Sequence, residues 1–191
     1  MVGLGARVAA ARSPRAPLYI SFHASTAPHG IPQPSYENHK LAKALVAAAL
    51  NNHLDIVNRL LEIPHVCATG KNTIMHNGNP ALADALVYAA IGGHSAITQR
   101  LFEITAVCTT DNDAMMYEGN PVLAEALWKA ARSGHTAIVE QLLAIPGIHR
   151  MKHNGVPILY KALTAAACSW QYALCSRIQA AIDAFGIGTS I

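Results

Sequence analysis

The sequence predicts an all-α fold, a solenoid of stacked helix-turn-helix repeats joined by long loops. One pattern occurs three times in the same register, and its histidine recurs every 41 residues, at His53, His94 and His135. A weaker fourth copy follows at an offset of 36 residues. A fixed period between about 20 and 50 residues is typical of solenoid proteins, in which each repeat contacts only its neighbours.

The first helix of a repeat is predicted to begin at an Asn-Pro pair, as at Asn79-Pro80 and Asn120-Pro121. Asn is a good N-cap, and Pro at the first helical position loses no hydrogen bond because that N–H has no partner within a helix. Leu82, Leu86 and Ala89 then follow at helical spacing and form one apolar face. The long loop is therefore expected to end at the Asn-Pro pair.

The turn between the two helices is predicted from small residues. The first helix stops at Gly92-Gly93 in the second repeat and at Ser133-Gly134 in the third, because glycine adopts the left-handed conformation without steric cost. Asn51-Asn52 has the same role in the first repeat, since Asn is the next best residue in that conformation. Ile97 and Leu101 then mark the apolar side of the second helix.

The turn and the second helix together carry a longer motif. Residues 130–143 read Ala-Ala-Arg-Ser-Gly-His-Thr-Ala-Ile-Val-Glu-Gln-Leu-Leu, and residues 89–102 and 48–61 each depart from its fixed positions at two places. Over roughly residues 38–183 this pattern resembles the core of ankyrin repeats. The resemblance implies an ankyrin-like α-solenoid with three clear repeats and a degenerate C-terminal capping repeat. It also implies that the turn histidines are structural and bond nearby backbone.

Two features differ from the usual ankyrin pattern. The Thr-Pro-Leu-His opening is absent, since Asp84-Ala85 and Glu125-Ala126 stand where Thr-Pro would be. The period of 41 residues also exceeds the usual length, and the remaining extra residues fall in the loop. A longer first helix is therefore expected, and a regular β-hairpin between the repeats is not.

The chain is predicted to have three regions. Residues 1–37 form a poorly structured N-terminal tail or a degenerate repeat, because they contain five of the ten prolines. The first 36 residues also hold three arginines and no acidic residue, which is typical of an organelle transit peptide. The repeat domain spans residues 38–185, with repeats at about 38–78, 79–119, 120–155 and 156–185, and residues 186–191 form a frayed end.

Charge and composition argue against several classes of function. Residues 37–191 contain 11 basic and 11 acidic residues, so the repeats lack the excess of positive charge that nucleic-acid binding requires. No apolar run approaches the roughly 18 residues of a membrane span. Four scattered cysteines without a C-x-x-C pair are typical of reduced thiols in a cytosolic protein.

The sequence contains no recognisable catalytic or metal-binding constellation. Equivalent atoms of stacked repeats should lie roughly 8–10 Å apart, whereas zinc ligands lie about 2.0–2.3 Å from one centre. His53, His94 and His135 therefore cannot share a metal ion. No Ser-His-Asp order, paired carboxylates or glycine-rich phosphate loop appears. We expect a non-enzymatic protein with no cofactor and no metal.

The loops and the first helices carry the candidate partner-binding residues. In each loop one apolar residue, Ile74, Met115 or Met151, is expected to tuck under the loop as a small satellite core. The residues that follow it vary in type on a constant scaffold, as a recognition surface requires, and first-helix aromatics are common interface anchors. The predicted partner-binding residues are Met75, His76, Tyr88, Met116, Tyr117, Trp128, Lys152 and His153.

These features predict a function in protein–protein interaction. The chain is expected to be a monomeric module or scaffold that binds another protein through its loop tips and the concave face of its first helices. The alternative is a substrate-recruiting arm of a larger protein or of a secreted bacterial effector whose activity lies elsewhere. A third hypothesis is a metal-dependent enzyme built on the histidines. A cytoplasmic location is expected, with organelle targeting or delivery into a host cell as the alternative.

Overall fold

A computed structural model describes residues 34–68, 70–104, 107–110 and 113–186, except for the side chains of residues 34–36 and Lys71. The predicted N-terminal tail lies outside the described residues up to position 33, and the predicted frayed end lies outside them from position 187. Residues 34–37 belong to the first helix, which therefore begins upstream of the domain boundary expected at residue 38.

The described part of the chain is mostly helical, as the sequence predicts. It contains eight α-helices, arranged as pairs of a longer and a shorter helix in the first three repeats. The helices are α1 (Pro34–Leu50), α2 (Leu54–Leu61), α3 (Ala81–Gly92), α4 (Ser95–Phe102), α5 (Val122–Ser133), α6 (Thr136–Leu143), α7 (Ile158–Cys168) and α8 (Tyr172–Ala184). In the fourth repeat the second helix, α8, has 13 residues, whereas α2, α4 and α6 have 8 each.

Six short strands form three antiparallel hairpins, one before each of α3, α5 and α7. The strands are β1 (Met75–His76), β2 (Asn79–Pro80), β3 (Met116–Tyr117), β4 (Asn120–Pro121), β5 (Lys152–His153) and β6 (Val156–Pro157). The prediction of no regular hairpin is therefore wrong. Two residues with positive φ join each pair, as at Asn77 (47°) and Gly78 (88°). Two successive positive φ angles make a type I′ turn, whose twist matches that of paired strands.

The Asn-Pro pairs do not start the helices as predicted. Asn79 and Asn120 are strand residues, and each proline stands just before the first helical residue. The Asn side chains instead accept hydrogen bonds from the next hairpin. The Glu118 backbone N–H donates to Asn79 Oδ1 at 3.1 Å, and the Asn154 N–H donates to Asn120 Oδ1 at 2.8 Å. The predicted N-cap is thus a link between consecutive hairpins.

Each first helix packs against the first helix of the next repeat. Helix α3 contacts α1 and α5, and α5 contacts α7. The second helices also meet in sequence, α2 with α4 and α4 with α6, and β2 contacts β3 as β4 contacts β5. Leu45, Leu86 and Leu127 have no exposed surface in the core between these helices. The fully buried Ala89 and Ala130 allow close approach, because alanine adds little width to a helix.

The turns between paired helices follow the predicted pattern. Gly93 and Gly134 adopt φ angles of 76° and 78°, and Asn52 adopts 60° at the same position of the first repeat. The predicted helix stops are thus confirmed. The histidine after each glycine bonds backbone, but in the preceding repeat. His94 Nε2 donates to the Leu50 carbonyl at 3.0 Å, and His135 Nε2 donates to the Ile91 carbonyl at 2.8 Å.

Candidate partner-binding face

The predicted partner-binding residues differ widely in exposure. Met75 is 48% exposed, Met116 is 46% exposed, and Lys152 is also exposed. The side chains of intermediate exposure are His76, Tyr88 and Trp128. Tyr117 and His153 retain only 7% and 2% of their surface. The prediction that these last two belong to a contact surface needs correction, because their side chains are covered by their own chain.

Strand geometry explains the division. Successive side chains of a β-strand point to opposite faces. In each first strand the first residue is exposed and the second faces inward, which separates Met116 from Tyr117 and Lys152 from His153. The inward residue of β1, His76, keeps intermediate exposure. Only the first position of each of these strands can therefore offer most of its side chain to a partner.

The inward residues meet two buried carboxylates that sequence reasoning did not identify as site residues. Asp84 and Glu125 occupy the same register position in α3 and α5 and are 2% and 3% exposed. The Asp84 carboxylate accepts a hydrogen bond from His76 Nδ1. Glu125 Oε2 accepts one from His153 Nε2 at 2.5 Å. A buried charge needs such a partner, so these pairs fix each hairpin against a first helix.

Tyr117 lies in the same environment, between the two carboxylates. Burial raises the pKa of Tyr117 to about 12, and the negative charges of Glu118, Asp84 and Glu125 contribute to the increase. The phenol therefore stays protonated over the whole physiological range. Tyr117 acts as part of the support under the hairpins, which is a different role from the predicted one.

Trp128 forms one wall of a pocket of about 600 Å³ between α5 and α7. Three cations surround its ring: Lys129 Nζ lies 4.5 Å from the ring centroid, Lys161 Nζ 5.4 Å and the Arg132 guanidinium carbon 5.7 Å. His153 packs on the ring from the hairpin, with 5.1 Å between centroids. The pocket is lined by Trp128, Arg132, Val156, Tyr160, Lys161, Thr164, Ala165, Cys168 and Ser169.

The charges around this Trp128 pocket are only partly balanced. Lys129 Nζ lies 3.5 Å from Glu125 Oε1, so that charge is neutralised by a buried carboxylate. Neither Arg132 nor Lys161 forms an ion pair with any residue in the described ranges. The pocket therefore combines an aromatic wall with two uncompensated positive charges, an arrangement suited to an anionic group.

A second cavity, of about 440 Å³, lies along the first two hairpins. Its walls include the exposed Met75 and Met116, and we call these two side chains the methionine patch. The satellite-core prediction is confirmed for Ile74 and Met151, which are 4% and 5% exposed. Met115 is only partly buried: it packs against the core and also lines this cavity.

Metal and thiol chemistry find little support in the described ranges. There, no group of three or more His, Cys, Asp or Glu side chains could hold a metal ion. The four cysteines are free thiols, and burial raises the pKa of Cys67 and Cys108. Each of these two donates to a backbone carbonyl, Cys67 to Leu61 at 3.3 Å and Cys108 to Phe102 at 2.8 Å. They are therefore poor nucleophiles.

Comparison with known proteins gives no assignment. No protein-family model matches the sequence, and no curated protein matches it either. The structure adds that, among the described residues, no helix has the length and hydrophobicity needed to cross a bilayer.

Proposed function

We propose that this chain is a non-enzymatic protein–protein interaction module built from ankyrin-like repeats. It binds another protein through the tips of its hairpins and the face formed by its first helices. The observation that carries this proposal is the position of the methionine patch and the Trp128 pocket, which both lie on hairpins and first helices. The recruiting arm of a larger protein would use the same face, with its activity elsewhere.

The contacts between elements support a solenoid as the scaffold. First helices, second helices and hairpins of consecutive repeats each meet their counterparts. The hydrogen bonds of His94 and His135 to the preceding repeat recur 41 residues apart with similar lengths, 3.0 and 2.8 Å. In a stack of this kind, equivalent positions of successive repeats form one continuous surface.

The exposed apolar side chains favour the hairpin side of the repeats as the contact surface. Ile56 on α2 and Tyr172 on α8 are also exposed, at 47% and 66%. Single exposed apolar residues are common and need no function. Met75 and Met116 differ because they line the same cavity. Methionine is flexible and polarizable, and it is frequent at adaptable binding surfaces.

The proposal is tested by capture of a partner from an extract of the source cells with the full chain. A face variant carries Met75→Gln and Met116→Gln, and a matched control carries Ile56→Gln and Tyr172→Gln. Each captured protein is then purified and titrated against all three forms by calorimetry. We expect the face variant to bind about tenfold or more weakly, because apolar anchors dominate such interfaces.

The control variant should bind as the wild type does. Circular dichroism of all forms shows whether the substitutions preserve the helices. Equal affinity of the face variant and the wild type, with the helices preserved, would show that the methionine patch is not part of the interface. Weaker binding by the control alone would place the interface on the second helices.

A further inference from the structure

We propose that the Trp128 pocket binds the carboxylate side chains of an acidic peptide segment of the partner protein. This inference rests on the proposed function and adds the chemistry that the partner must present. It concerns Trp128, Arg132 and Lys161, of which only Trp128 is among the residues predicted from the sequence.

The charge at the pocket arises from one exchange in the repeat pattern. Lys161 occupies the register position that Asp84 and Glu125 occupy in the two preceding repeats. Those acids are buried and paired with hairpin histidines. Lys161 instead extends to the Trp128 ring of the neighbouring repeat, 5.4 Å from its centroid. A position that is negative and internally satisfied in two repeats is therefore positive and directed at a pocket in the fourth.

The two uncompensated cations lie close enough to act on one anion. Both Arg132 and Lys161 lie within 6 Å of the same ring centroid, so they are at most about 11 Å apart. This separation is comparable with the Debye length of about 8 Å at physiological ionic strength, so their potentials overlap. A carboxylate between them removes like-charge repulsion and gains charge-assisted hydrogen bonds, of which the guanidinium can supply two.

The other walls of the pocket suit a peptide more than an isolated phosphate. Val156, which is 44% exposed, and Ala165 give apolar contacts beside the cations. The hydroxyls of Thr164 and Ser169 also line the pocket and can bond peptide groups. A volume of about 600 Å³ lies in the usual range for sites that enclose a ligand. Acidic side chains spaced by small or apolar residues match this mixture.

Intrinsic fluorescence offers a direct test. The chain has two tryptophans, and Trp170 is 75% exposed outside the pocket, so a Trp170→Phe variant of the full chain reports on Trp128. The probe is a short capped peptide in which glutamate alternates with serine and leucine, and its control has glutamine in place of every glutamate. We expect a saturable change with the acidic peptide, and binding about tenfold weaker or less with the glutamine peptide.

Two further variants in the Trp170→Phe background separate the pocket from general electrostatics. Arg132→Gln with Lys161→Gln should weaken acidic-peptide binding about tenfold or more. Arg59→Gln with Arg150→Gln, which removes two exposed cations outside the pocket, should leave it unchanged. Cys168 lines the pocket and is exposed, so the bound peptide should slow its alkylation by N-ethylmaleimide in the wild type.

Several outcomes would overturn the inference. These are no saturable signal, equal binding of the acidic and glutamine peptides, or equal loss in the two double-cation variants. Inorganic phosphate or a single-stranded oligonucleotide that binds more tightly than the peptide would assign the pocket to phosphate instead. None of these results decides the proposed function, because that test depends on Met75 and Met116. Loss of binding in the methionine test would in turn leave the peptide result to be judged separately.

Discussion

At the scale of single residues, position along a two-residue strand decides what a side chain can do. Met116 and Tyr117 are neighbours in sequence, yet one is 46% exposed and the other 7%. The exposed one can contact a partner, and the buried one supports the hairpin beside Asp84 and Glu125. The sequence pattern could indicate that both positions vary between repeats, but it could not assign their faces without knowledge of the strand.

The raised pKa of Tyr117 makes a prediction about alkaline stability. A tyrosine in the unfolded chain ionises near pH 10, about 2 units below Tyr117 in the folded protein. The stabilisation from this shift is complete below about pH 10 and is lost as the pH rises through about 12. Urea midpoints of the wild type should therefore fall more steeply between these values than those of a Tyr117→Phe variant.

Equal declines in the two proteins would contradict this account of Tyr117. Thiols with a raised pKa, at Cys67 and Cys108, contribute in the same direction, but they are present in both proteins and cancel in the comparison. Ultraviolet titration of tyrosinate supplies an independent reading, since one phenol fewer should ionise late in the variant.

At the scale of elements, the hairpins show both the reach of the sequence and where it stops. The helices and their glycine turns follow from apolar spacing and the 41-residue period, because both signals are local and repeated. The hairpin was also signalled, by Asn77-Gly78 and Asn154-Gly155, since Asn-Gly is a strong type I′ turn sequence. The long period and the Asn-Pro pairs favoured a loop and a helix start instead.

The site was less predictable than the helices, for a physical reason. His153 and Glu125 are 28 residues apart in sequence, and Lys161 meets Trp128 only because α7 packs on α5. Such pairings depend on how one repeat sits on the next, and residue spacing within a repeat carries no information about them. Trp128 could be singled out as an aromatic anchor, whereas the charges around it required the packed structure.

The second hairpin provides a stability prediction for a single turn. Glu118 adopts φ of 46°, while Asn77 and Asn154 occupy the same turn position at 47° and 50°. A left-handed conformation costs most residues roughly 1–2 kcal/mol, and Asn tolerates it better. A Glu118→Asn substitution should therefore raise the free energy of unfolding by about 0.5–1 kcal/mol.

Chemical denaturation of the two proteins measures this difference, and a Glu103→Asn variant serves as a control at an exposed glutamate with φ of −69° in the terminal turn after α4. A Glu118→Asn protein that is no more stable than the wild type would show that the strain of this turn is relieved elsewhere.

At the scale of the whole described domain, the main feature is the difference between its two sides. The second helices carry isolated exposed residues such as Ile56. The hairpins and first helices combine the methionine patch with an aromatic pocket that holds unbalanced positive charge. A binding module with a defined partner face requires such an asymmetry, and a purely architectural spacer does not.

Site-specific photo-crosslinking tests this asymmetry most directly. Benzoylphenylalanine is placed, one position at a time, at Met116 and Thr164 on the proposed face and at Ile56 and Tyr172 on the second helices. All four side chains are exposed, so each probe can react with a bound protein. In source-cell extract we predict adducts with one common protein from Met116 and Thr164, and none above background from Ile56 and Tyr172. Adducts formed equally from all four positions, or from the second-helix positions alone, would contradict the account.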